Sequence, residues 1–139
     1  MATYNKFQDF VEKLGLAAIN LNTDTIRVYL SNAVPSASLD AVAFTDLAEI
    51  AAGNGYTAGG EDTQNTYAEA AGTGTVTVVD VVWTASAGTI GPFQYVASYD
   101  DTHATNQLIS WWDYGSALTL NATETFTVDF GSNTLFTIT

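Results

Sequence analysis

Glu124-Thr125-Phe126-Thr127-Val128-Asp129-Phe130 alternates strictly, with Phe126, Val128 and Phe130 on one side of an extended chain and Thr125, Thr127 and Asp129 on the other. A period of two with β-branched and aromatic residues is the signature of a strand buried on one face only. The neighbouring sequence has the same character. From Thr73 onward the chain is rich in Thr, Val and aromatics and punctuated by turn residues, which predicts strands over 75–85, 93–99, 107–114, 117–121, 124–130 and 134–139. Short, closely spaced strands favour an antiparallel β-sandwich or jelly-roll-like domain over an α/β fold. In the first of these strands the apolar parity changes between Val78 and Val79, so either both faces are covered or a bulge shifts the register there.

Upstream the pattern differs. Phe7, Phe10, Val11 and Leu14 recur at i, i+3, i+4 and i+7, the stripe of an amphipathic helix, with Thr3 placed to cap its start and Gly15 to end it; a helix over 4–14 follows. Ile26, Val28 and Leu30 alternate against Thr25, Arg27 and Tyr29 as a half-buried strand. A loop around Pro35 comes next, and Thr45–Ile50 fits one helical turn or an extended arm. Gly53-Asn54-Gly55-Tyr56-Thr57-Ala58-Gly59-Gly60 holds too many glycines for a helix and suits close backbone approach by another chain. The whole reads as a single domain over 1–139, with an N-terminal helical element (1–24), a strand plus glycine-rich arm (25–72) and a β body (73–139).

Composition narrows the function classes. With 139 residues and no cysteine, the chain can bury a core without disulfides and has no thiolate metal site or cysteine nucleophile. Neither a leader-like pattern nor an apolar run of membrane-spanning length is visible, so neither secretion nor membrane insertion is expected. The formal charge of −12 is unevenly placed: Lys6, Lys13 and Arg27 balance Asp9, Glu12 and Asp24, and the entire excess lies beyond residue 27. A body of that sign repels phosphate backbones and anionic lipid, which argues against nucleic acid and membrane as partners and is compatible with simple solubility or a basic protein partner.

Candidate chemistry is sparse. His103, the only histidine, lies in the polar stretch Asp100-Asp101-Thr102-His103 and lacks the cysteine or histidine companions a zinc site uses. It reads as a solvated loop residue. Asp100-Asp101 reads as a charged hairpin tip, with calcium ligation requiring further oxygens that no Asp-x-Asp-x-Asp-Gly loop supplies. The glycine-rich segment lacks the Lys-Ser/Thr ending of a phosphate loop. No catalytic residue and no cofactor is expected. Trp111-Trp112-Asp113-Tyr114 is the densest aromatic cluster; on a regular strand Trp111 and Trp112 point to opposite faces, so one of them needs cover from its own chain, a partner subunit or a sugar.

Taken in order, Tyr4–Glu12, Asp24–Asn32, Asp46–Thr57, Trp83–Phe93, Leu108–Gly115 and Glu124–Phe130 resemble a family of small virion structural proteins from tailed bacteriophages. The resemblance spans nearly the whole chain. It implies a non-enzymatic particle component, a head decoration or cement protein bound to the major capsid protein as a homotrimer, assembled in the host bacterial cytoplasm and located in the virion. A tail or fibre protein and a carbohydrate-binding module are the alternatives. On this reading the contacting residues are sought among Phe7, Phe10, Val11, Leu14, Tyr56, Trp111, Trp112 and Tyr114, in the N-terminal helix, the Gly53–Gly60 segment and the Trp111–Tyr114 edge.

Overall fold

The computed structural model describes residues 2–139. In chain order the elements are β1 (Thr3–Lys6), α1 (Gln8–Gly15), β2 (Ile26–Ser31), β3 (Glu61–Asp62), β4 (Thr66–Ala70), β5 (Thr73–Thr77), β6 (Val81–Thr84), β7 (Ile90–Asp100), β8 (Gln107–Leu120), β9 (Thr125–Val128) and β10 (Thr134–Ile138). Every strand pairing is antiparallel. The main sheet has the order β1-β8-β7-β2-β3, a second sheet the order β10-β5-β4, and β6 pairs with β9 alone. The fold is mainly β with one short helix, an antiparallel sandwich.

The principal core lies between the main sheet and the two smaller ones. Ile26, Val28, Leu30, Phe93, Val96, Ile109 and Trp112 meet Val76, Val78, Val81, Trp83, Val128 and Leu135 there. The outer face of the main sheet is covered as well. Tyr29, Ala97, Tyr99 and Leu108 pack under Ala43 and Leu47, with Phe7 and Trp111 alongside, so residues 33–47 serve as a lid over the sheet. Burial on both faces explains why β2, whose alternation predicts a half-buried strand, is buried at nearly every position.

Several boundaries differ from the sequence reading, each for a physical reason. The helix begins at Gln8 rather than residue 4, because Tyr4, Asn5 and Lys6 pair with Trp112, Trp111 and Ser110 as β1; sheet hydrogen bonds and apolar contacts outweigh local helical periodicity. Thr3 therefore caps nothing. Phe7 is the N-cap, and the Gln8 N–H is satisfied by the Ala37 carbonyl. At the other end Gly15 stays helical, and the left-handed residue is Ala17 (φ 56°). Ala17 N–H donates to the Leu14 carbonyl and Ala18 N–H to that of Lys13, the paired bonds of a Schellman ending.

The expected strand over 75–85 is two strands in different sheets. The parity change at Val78-Val79 marks the crossing from β5 to β6, anchored where Val79 N–H meets the Thr63 carbonyl and Phe130 N–H meets Asp80. The strands read over 107–114 and 117–121 are one, β8, which runs unbroken to Leu120 with Gly115 at φ 84° inside it. β8 also carries a bulge. Ser98 opposes Ser110 while Tyr99 opposes Leu108, leaving Ile109 extra, so Leu108 and Trp111 share one face and Ile109 and Trp112 the other. The β4–β5 hairpin was not legible, since its turn places Ala71, not a glycine or asparagine, at φ 53° ahead of Gly72.

Candidate interaction surface

The eight residues singled out from the sequence fall into four places. Phe7 is fully buried beneath the lid, its ring 4.6 Å from that of half-buried Trp111. Trp111 is thus covered by its own chain. Phe10, Tyr56 and Trp112 belong to the principal core. Tyr114 is half-buried against Phe126, ring centroids 5.0 Å apart. The Trp111–Tyr114 stretch is not an edge, because β1 pairs along it as far as Asp113. Val11, 51 % exposed, and half-buried Leu14 are left on the surface of α1.

The glycine-rich segment is likewise turned inward. Asn54 and Gly55, both at positive φ, form a tight turn closed by mutual Gly53 and Tyr56 backbone bonds. A Cβ on Gly55 would strike the Thr84 carbonyl and one on Gly60 the Val28 carbonyl, so the close approach these glycines permit is to this chain's own backbone. Polar side chains hold the segment down. Arg27 donates to the Gly59 and Gly60 carbonyls (3.2 and 2.7 Å), the Tyr99 hydroxyl to Gly59 (2.8 Å), and Glu49 accepts from the Tyr56 hydroxyl and the Gly59 N–H, both at 2.7 Å.

The acidic pair separates. Asp101 is exposed, whereas Asp100, expected at a charged tip, is fully buried at the end of β7. One carboxylate oxygen accepts the Thr102 and His103 N–H groups at 2.8 and 3.0 Å; Oδ2 has no partner. Burial, opposed by those N–H bonds and reinforced by the neighbouring Asp24 carboxyl, pushes Asp100 up to about 6. His103 is half-buried in the following loop, with Thr105 on its ring nitrogen. Among the described residues no group of three or more His, Cys, Asp or Glu side chains is placed to hold a metal ion.

Val11 and Leu14 lead to the one surface where several candidate residues converge. With Phe10 they form the α1 wall of a groove of about 450 Å³ whose other walls are Tyr4 and Lys6 of β1 and Phe136 to Thr139 at β10. Phe136 packs edge-on to Phe10 at 5.5 Å and lies 6.3 Å from Tyr4. Leu14 and Ile138 continue into a second hollow of about 280 Å³ lined by Ile19, Leu21 and Tyr67. Neither hollow is lined by an Asp or Glu side chain, on a chain that has 15 of them. Lys6 is the only charged side chain in the lining, and burial holds the Tyr4 hydroxyl neutral by pushing it up to about 12. The residues missed from the sequence are Tyr4, Lys6, Phe136 and Ile138. Phe136 and Ile138 alternate as a strand with no sign that it ends a sheet, and Tyr4 and Lys6 read as the start of the helix.

No family model, curated protein or solved structure matches this chain. Among the described residues no helix is long and apolar enough to cross a membrane.

Proposed function

We propose that this chain is a structural component of a tailed-phage virion, a head decoration protein that binds the major capsid protein and stabilises the head lattice. Supporting the phage assignment is the resemblance of six segments, from Tyr4 to Phe130, to small virion proteins of that class. The observation that carries the assembly role is the groove between α1, β1 and β10: a largely apolar surface without an acidic side chain on an otherwise acidic molecule, bounded by two strands that end their sheets. Such a surface suits recognition through backbone pairing and apolar anchors. Copies gather as trimers at the symmetry axes of the lattice, held by the lattice more than by one another, since each brings a charge of −12.

Purified protein added to expanded, undecorated capsids should bind them and raise their melting temperature, and a cryo-EM reconstruction of the virion should show its density on the head. Density confined to the tail would reassign it to a tail or fibre role. Absence from the particle would end the virion reading.

A further inference from the structure

We propose that the α1–β10 groove takes an extended segment of a partner polypeptide by strand addition to β10, the segment being a run of about five alternating apolar residues flanked by lysine or arginine. The inference rests on reading this groove as the contact surface. β10 pairs on one side only, with β5, and among the described residues no backbone group of residues 135–139 bonds to anything on its other side. β10 has five residues, and past a register shift between Thr134 and Phe136 its regular edge over 136–138 offers the ladder a guest strand needs.

Natural sheets guard such edges with charge, and this molecule guards its others. β3 is Glu61-Asp62, β4 contains Glu69, and Asp80 and Asp129 adjoin β6 and β9. β10 carries no charged residue. Val11 beside it and Ile138 within it are 51 % and 38 % exposed, apolar positions on which alternate side chains of a guest strand would be buried.

Charge complementarity selects the occupant. The body has no cation beyond Arg27, whose guanidinium is spent on the Gly59 and Gly60 carbonyls, so its field draws a cationic chain and opposes a second copy. The groove lining offers no acidic side chain, so the bound stretch itself is uncharged and its cations lie at the flanks, outside the lining and in the field of the acidic body.

The test titrates the whole protein with two synthetic peptides sharing a Val-Thr-Val-Thr-Val core, one flanked by paired lysines and one by paired glutamates, while backbone amide shifts are followed by NMR. The lysine-flanked peptide should bind, slow amide exchange along β10, and outdo the other by about tenfold at low salt, the gap narrowing as salt screens it. Ile138→Asp and Val11→Asp should each weaken it by about tenfold or more with little change in melting temperature, since both side chains are exposed. Equal affinity for both peptides, no binding at about 1 mM, shifts mapping away from β10, or a dimer in sedimentation that Ile138→Asp dissolves would overturn the proposal. Capsid binding that survives Ile138→Asp would overturn it while leaving the decoration role standing. Peptide binding in the groove without capsid binding would do the reverse.

Discussion

Asp100 is a buried acid with one carboxylate oxygen unpartnered and the Asp24 carboxyl nearby, and that arrangement sets a pH dependence. Its folded pKa of about 6 exceeds the unfolded value of 3.8, so the folded state binds more protons between the two. The contribution is therefore fully present below about pH 4 and is lost as pH rises through 6. Asp100→Asn keeps an acceptor for the Thr102 and His103 N–H groups and gains a donor toward Asp24. It should raise stability at pH 7.5 by about 1–3 kcal/mol in urea unfolding, with the gain vanishing near pH 4. Asp113 acts oppositely, held below its usual range by the Gln94 amide and the Gly115 N–H. The difference between variant and wild type isolates Asp100, and a variant less stable at pH 7.5 would refute the buried-acid account. A second residue-scale test is Gly60→Ala. At φ 66°, with the Val28 carbonyl where a Cβ would sit, it should cost about 2 kcal/mol or more, read as a fall in melting temperature. Neither role was legible in sequence. Adjacent aspartates look alike on paper, and only the pairing of Asp100 with Ile26 and Gln107 in the main sheet puts one of them inside.

At the scale of elements, local patterns were reliable wherever one interaction dominated. The alternation of Phe126, Val128 and Phe130 against Thr125, Thr127 and Asp129 matches the observed facing of β9 and the turn after it. The i, i+3, i+4 stripe located α1 but not its start, because Tyr4–Lys6 satisfy both a helical and an extended pattern and the open edge of β8 decides between them. The bulge at Ile109 was invisible for a related reason: an extra residue has no composition of its own. The helix ending gives a direct test. Gly15 lies inside α1 with open space around its Cα, so Gly15→Ala should stabilise by up to about 1 kcal/mol. Ala17→Gly should add about 0.5–1 kcal/mol by placing a glycine at the left-handed position. Were Gly15 the cap, as its type suggests, the first substitution would instead destabilise; thermal unfolding of the two variants separates the cases.

Across the whole molecule, the division between a neutral N-terminal segment and an acidic body was legible from residue types alone, but its spatial consequence was not. β1 and α1 come from the neutral segment and β10 from 134–138, also free of charge, and the fold sets them side by side. This groove without acidic side chains is thus assembled from opposite ends of the described chain. Elsewhere twelve uncompensated acids repel one another, and since Arg27 is the last cation in the sequence, only salt can relieve them. Raising ionic strength from about 20 mM to 300 mM shortens the Debye length from roughly 20 Å to 6 Å and should lift the melting temperature by a few degrees. The same change should not weaken folding through lost ion pairs, because the one pair among the described residues, Lys13 with Asp9, is a half-exposed contact at 4.0 Å on α1. A melting temperature that falls with salt would mean that attractive ion pairs outweigh repulsion, contrary to this charge distribution. A flat response would mean that the acids sit farther apart than a Debye length and that the field invoked for drawing a basic partner is too weak to do so.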